Sequence, residues 1–71
     1  MKEYIVVYEH TNRNWAAYSP DVPGCIATGK TRDEVERNFK DALVFHIEGL
    51  KESGLPVPEP SSETGRVTIA A

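Results

Sequence analysis

The chain has 71 residues, of which 39% are hydrophobic and 27% charged, and its formal net charge is −3. A domain of this size buries only about 60% of the surface that its unfolded chain exposes, so a monomer is expected to be marginally stable. A lone cysteine, Cys25, excludes an internal disulfide, and no secretory signal, lipidation pattern or apolar run of transmembrane length is found. Eight basic residues against eleven acidic ones disfavour autonomous nucleic-acid binding. We therefore expect a cytoplasmic protein without a membrane partner, whose acidity suits a basic protein partner.

The first third of the chain predicts an antiparallel meander. Residues Tyr4–Tyr8 are all β-branched or aromatic, which is typical of a central strand. A polar connector over 10–14 precedes a second strand at Trp15–Ser19, so these two strands should form a hairpin. Cys25–Thr28 predicts a short third strand.

A stiff turn separates the second and third predicted strands. Pro20 and Pro23 fix φ and push the preceding residues toward extended conformations. Gly24 supplies a position that can take φ > 0. Asp21 lies between the prolines, where its side chain can hydrogen-bond nearby backbone N–H groups and fix the shape of the loop. Alternatively, the turn contacts a partner, since a rigid loop loses little entropy on binding.

A single amphipathic helix is predicted from Arg32 to about Ser53. Gly29 allows a turn before it, Thr31 with Glu34 forms a capping box, and Gly54 is placed to end the helix. Apolar side chains at three- and four-residue steps form one stripe, which predicts that the helix lies on one face of the sheet. The stripe comprises Val35, Phe39, Ala42 or Leu43, His46 or Ile47, and Leu50.

The remaining residues predict a return to the sheet. Residues 54–65 form a proline-rich connector and loop, and Arg66–Ala70 alternates apolar Val67 and Ile69 with polar residues, as a half-buried strand does. The predicted fold is α+β, with the order β-β-β-α-β in one domain spanning residues 1–71. The proline-rich segment is either a plain connector or a ligand for a partner's groove.

No catalytic, metal or cofactor site is predicted. The strands supply no converging carboxylates of the kind that a metal-dependent nuclease requires. His10 is expected to be a solvated loop residue, His46 a packing residue on the helix, and Cys25 a small buried hydrophobe. The aromatic strands lack the interleaved basic residues of a base-stacking platform.

Two segments of the chain resemble the HicB-like antitoxin family. An aromatic-rich strand at 15–19 leads into Pro-Asp-Val-Pro-Gly-Cys at 20–25, and a Thr-Gly-Lys-Thr step at 28–31 is followed by Glu34. Gly-Leu-Pro-Val-Pro-Glu-Pro at 54–60 is similar to the family's exit from the helix. Lys30 departs from the pattern, because the family commonly has an acid there.

The resemblance implies a partial, degenerate RNase H-like fold without catalytic carboxylates. It also implies a non-enzymatic antitoxin that binds a small, basic HicA-type toxin, blocks its cleavage of mRNA, and assembles as a dimer or tetramer. Acidic partner-contact residues would be Asp21, Glu34 and Glu59. Direct DNA binding is not expected, since the chain ends at Ala71 without the DNA-binding segment of longer relatives.

Two other functions stay open at the level of sequence. One is a degenerate RNase H-like nuclease or nucleic-acid-binding module, and the other is a domain that self-associates through exposed sheet edges or an uncovered sheet face.

Overall fold

Three short strands and one long helix follow one another along the chain. The computed structural model describes all 71 residues, with β1 at Val7–His10, β2 at Trp15–Tyr18, β3 at Ile26–Gly29 and α1 at Arg32–Glu52. The strands form one antiparallel sheet in the order β1-β2-β3, and α1 packs against β2 and β3. The predicted α+β meander with a helix on one face is confirmed. No helix of the structure has the length and apolar character needed to cross a membrane.

The strand register decides which side chains face the helix. Tyr8, Ala17 and Ala27 are aligned across the three strands and pack in or against the core. Because side chains alternate along a strand, the next aligned row lies on the other face. That row consists of Val7, Tyr18 and Ile26.

The hydrophobic core lies between the sheet, the helix and the loop that joins β2 to β3. Phe39 and Val35 of α1 are 2% and 0% exposed, and the loop contributes Val22, which is 1% exposed. The five buried core residues are Ala17, Val22, Cys25, Val35 and Phe39. The loop is therefore packed into the core rather than lying over it.

Two consecutive turns shape this loop. The N–H of Val22 donates to the carbonyl of Ser19 at 3.2 Å, and the N–H of Cys25 donates to the carbonyl of Val22 at 3.3 Å. Gly24 has φ 84°, which confirms the predicted positive φ. Proline followed by a glycine with positive φ is the sequence of a type II turn.

Replacing Gly24 with valine should destabilise the protein. A β-branched residue is disfavoured at positive φ by about 1–2 kcal/mol, which corresponds to a fall in Tm of roughly 4–8 °C per kcal/mol in a domain of this size. The space around Gly24 is open, so backbone strain alone would act. Thermal unfolding of Gly24→Val is compared with that of Gly65→Val, which also faces open space and has no positive φ. Equal Tm values for the two variants would contradict the strain argument.

The helix begins at the predicted cap. Thr31 Oγ1 accepts the N–H of Glu34 at 3.0 Å, and Glu34 Oε1 accepts the N–H of Lys30 at 2.9 Å. The side chain of Glu34 thus returns to the residue before the cap instead of to Thr31 itself. Both bonds occupy backbone donors that would otherwise lack a partner at the start of the helix.

The helix ends at Glu52, and Gly54 stops it, as predicted. Gly54 has φ 70° and donates its N–H to the carbonyl of Lys51 at 3.1 Å. The N–H of Leu55 donates to the carbonyl of Leu50 at 2.9 Å. These two bonds form a Schellman motif, which turns the chain out of the helix.

The observed strands are shifted from the predicted bounds. β1 begins at Val7 rather than Tyr4, because its partner strand ends at Tyr18, the residue opposite Val7. Beyond Tyr18 the chain enters the turn that contains Pro20 and leaves the sheet. The third strand runs one residue later than predicted, from Ile26 to Gly29.

The predicted strand at residues 66–70 does not form. Residues 55–71, called the tail below, contain no helix or strand, and Val67 and Ile69 are 89% and 75% exposed. The alternation of apolar and polar residues is present in the sequence, but no neighbouring strand forms hydrogen bonds with the backbone of this segment. The observed order is therefore β-β-β-α, and the RNase H-like fold stays a prediction.

Candidate protein-binding surface

The face of the sheet opposite α1 carries an uncovered apolar row. Val7, Tyr18 and Ile26 stand side by side in register on the three strands and are called the open-face row below. Ile26 is 64% exposed and Tyr18 is 37% exposed. A contiguous apolar surface of this kind on a small domain is typical of a protein contact site.

The β2–β3 turn extends this surface at one end. A shallow groove of about 440 Å³ is lined by Tyr18, Ile26 and residues of the turn between them. The two hydrogen bonds of the turn and the burial of Val22 hold this rim in place. The open-face row and the turn thus form one preorganised surface.

Glu9 lies on the same face as the open-face row. It is exposed, sits opposite Ala16 on β2 and forms no ion pair. An unpaired carboxylate beside apolar side chains gives the surface an acidic edge. Such an arrangement favours a partner with an apolar centre and a basic rim.

The carboxylate of Asp21 is directed at the tail. Its Oδ2 accepts the backbone N–H groups of Ser61 and Ser62, both at 3.0 Å, and its Oδ1 accepts the hydroxyls of the same residues at 3.2 and 2.8 Å. These bonds, led by the backbone N–H of Ser62, lower the pKa of Asp21. Asp21 therefore anchors a segment forty residues away, in addition to its place in the turn.

Acidification should release this anchor. Since the folded pKa of Asp21 is depressed, the contact is fully present above the pKa of an unfolded aspartate and is lost as the pH falls through the lower folded value. The amide resonances of Ser61 and Ser62, followed by NMR from about pH 7 to about pH 2, should move together in this acid range. Asp21→Asn should show the released resonances already at neutral pH. Resonances that stay constant in the wild type throughout the titration would contradict the anchor.

The other two predicted contact acids also have partners within the chain. Glu34 is occupied at the start of α1, and Glu59, with a side chain 76% exposed, pairs with Lys2 Nζ at 2.6 Å. The tail connects Glu59 to the Asp21 anchor, because Ser61 follows two residues later.

Sequence reasoning missed the residues of the open-face row. Alternation within Ile5, Val6 and Val7 indicates that they point to different faces, but the register that aligns Val7 with Tyr18 and Ile26 is set by the strand pairing. Ile26 could have been placed on the open face from the sequence. Neighbouring residues of a strand face opposite sides, and Cys25 was expected to be buried.

Cys25 is buried, and His10, at the exposed end of β1, stacks on a neighbouring ring. Burial raises the pKa of the Cys25 thiol, which disfavours the nucleophilic thiolate. His10 stacks on Trp15 with ring centroids 4.5 Å apart and planes inclined by 8°. No group of three or more His, Cys, Asp or Glu side chains is arranged to hold a metal ion.

The fold is that of a small α+β domain, with three antiparallel strands, one helix on one face and an apolar row on the other. The chain belongs to the HicB-like antitoxin family: the family described as "HicB_like antitoxin of bacterial toxin-antitoxin system" matches residues 4–68. The resemblance found in the sequence motifs is therefore confirmed.

Three curated relatives give the extent of the similarity. An uncharacterized 14.9 kDa protein from the rep-hol intergenic region of Haemophilus phage HP1 is 39% identical over 79% of this chain and 42% of its own length. "Antitoxin HicB 2" of Photorhabdus laumondii is 35% identical over 84% of this chain and 43% of its own length. "UPF0150 protein Ta0767" of Thermoplasma acidophilum is 30% identical over the full length of both chains. The chain thus spans less than half the length of the first two relatives, and no solved structure gives a significant match.

Proposed function

We propose that this chain is an antitoxin that binds a small HicA-type toxin and covers the surface with which that toxin binds or cleaves mRNA. The match to the antitoxin family over residues 4–68 carries this proposal. In this proposal, residues 1–71 act as one domain, in the cytoplasm and without enzymatic activity. Inhibition is steric, since the antitoxin occupies the surface that the RNA would use.

The open-face row is the proposed centre of the toxin contact. Exposed aromatic and aliphatic side chains at the middle of an interface, surrounded by polar groups, provide most of the binding energy of typical complexes. Glu9, on the same face, would oppose a basic group on the toxin beside this centre. Asp21, Glu34 and Glu59 stay proposed contact acids, although each is bonded within the chain. The net charge of −3 favours such a pairing.

Co-expression with a candidate toxin tests the proposal. The candidate is a small basic protein from a neighbouring reading frame, and its affinity is measured for the wild type and for Ile26→Asp. Ile26 is 64% exposed, so the variant should fold normally. A hot-spot loss of about 2 kcal/mol predicts roughly 30-fold weaker binding.

The matched control is Asn12→Asp, which adds the same charge in the exposed β1–β2 loop. It should bind within about threefold of the wild type, as a substitution outside the contact would. Equal weakening by both variants would show that charge alone matters, and unchanged binding by Ile26→Asp would remove the open-face row from the contact.

Self-association into a dimer or tetramer is part of the same proposal. Several apolar side chains are left exposed by the monomer, which favours assembly. They include Ile26, Phe45, Val67 and Ile69.

A further inference from the structure

The chain exposes far more surface than a compact monomer of its size. Its accessible surface is 5796 Å², whereas a folded monomer of 7.9 kDa is expected to expose about 4,400 Å². Its radius of gyration is 13.9 Å, against about 11 Å for a compact domain of this length. The excess of about 1,400 Å² is more than one partner contributes to a standard protein interface, which is about 800 Å².

The C-terminal end of the tail contributes to this excess of exposed surface. Every residue of 63–71, called the arm below, is exposed. The arm leaves the domain after the Asp21 anchor at Ser61 and Ser62. It carries Val67 and Ile69 on one side of a period-two pattern, with neither side chain buried by its own domain. A segment with this pattern is ready to pair as a strand but has no partner within the monomer.

The sheet offers one free edge for such a strand. At the edge formed by β3, the amide of Asn38 on α1 donates to the carbonyl of Thr28 at 2.8 Å, so this edge is partly occupied. At the other edge, β1 pairs only with β2, and no further hydrogen bond is made by the backbone of Val7–His10. Unpaired backbone groups along an edge strand are a template for a further strand.

A largely apolar groove lies beyond the N-terminal end of this edge, beside the residues that lead into β1, and Lys2, Glu48 and Lys51 also line it. It has a volume of about 640 Å³ and lies between the segment that leads into β1 and the second half of α1. Its apolar lining includes Tyr4, Leu43, Val44 and Ile47. A strand that pairs with β1 and continues past Val7 toward Tyr4 would place every second side chain on the helix side of the sheet, where this groove can receive two aliphatic side chains.

We propose that the arm of one copy pairs with β1 of a second copy and inserts Val67 and Ile69 into the groove beside Tyr4, with the exchange made reciprocally. The second copy supplies the strand that the isolated chain lacks, and the two-fold symmetry uses the same arm and the same edge twice. The added strand would satisfy the β1 edge by β-augmentation. This inference rests on the self-association proposed above and specifies its contacts.

Isotope-filtered NMR on the full chain tests the exchange directly. A mixture of labelled and unlabelled wild-type protein should give intermolecular NOEs between residues 66–70 of one copy and Tyr4–Tyr8 of the other. Sedimentation should give twice the mass of one chain. Intramolecular NOEs alone, or an arm without NOEs, would overturn the proposal.

Two variants provide an independent readout. Val67→Asp should raise the dimer dissociation constant at least about tenfold, because a charge would enter the apolar groove. Thr64→Asp adds the same charge in the arm ahead of the pairing segment and should leave the dissociation constant within about threefold. A dimer that forms without arm contacts and is insensitive to Val67→Asp would overturn the exchange while leaving self-association intact. A monomer throughout would overturn both.

Discussion

Phe39→Ala is expected to remove a large part of the stability of the fold. Phe39 is 2% exposed and is the largest of the fully buried side chains, in contact with the core formed by sheet, helix and loop. Truncating a buried phenylalanine costs about 3–5 kcal/mol, while a chain of this length has a total stability of roughly 4–10 kcal/mol. Urea denaturation followed by far-UV circular dichroism should show the loss as a lower midpoint.

The same helix provides the control. Phe45→Ala makes the same chemical change at a side chain that is 79% exposed, and its effect should stay within about 0.5 kcal/mol. Comparable destabilisation by the two substitutions would show that Phe39 is not the centre of the core.

Gly29→Ala should destabilise the contact between β3 and α1. A Cβ at this position would lie 2.7 Å from the backbone nitrogen of Val35 and 2.9 Å from its Cα. These are backbone atoms of a helix, so relief requires that the helix or the strand shifts as a unit. Overpacking of this kind costs about 1–3 kcal/mol, and its measurement is the same urea titration.

Gly49→Ala is the matched control, with the opposite expected sign. Gly49 lies within α1, and its Cβ would face open space. Alanine in place of glycine within a helix stabilises by up to about 1 kcal/mol. A neutral or stabilising Gly29→Ala would mean that β3 and α1 lie far enough apart to accept a Cβ at this position.

Local chemistry made the helix predictable from the sequence. Thr31 and Glu34 mark its start, Gly54 marks its end, and the apolar stripe through Val35 and Phe39 selects its buried face. Each of these signals acts between residues that are three or four positions apart. The turn at Pro23 and Gly24 was predictable for the same reason, because φ is set by the residue type itself.

Features that depend on distant residues were not predictable in this way. The partner of Asp21 lies at Ser61 and Ser62, whereas local reasoning assigned it to nearby backbone. The need for a glycine at position 29 arises from the approach of α1 to β3 rather than from a turn. The segment 66–70 has the pattern of a strand, but whether a strand forms depends on a neighbouring edge that the pattern does not contain.

The open-face row was not predictable either, because it depends on the register between distant strands. Alternation shows that neighbouring residues of a strand face opposite sides, but it does not show which side the helix covers. The pairing of Tyr18 with Val7 and Ile26 brings the three side chains together. The register between the three strands therefore determines the surface on which the proposed function depends.

Inhibition of RNA cleavage tests the antitoxin function most directly. A small basic protein from a neighbouring reading frame is purified as the candidate toxin, its cleavage of an mRNA is followed, and wild-type chain is added in increasing amounts. We predict that cleavage stops near equimolar amounts of chain and toxin subunits, and that the chain alone cleaves no RNA with magnesium or manganese present. Cleavage that continues at a large excess of the chain, or RNA cleavage by the chain itself, would contradict the proposed function.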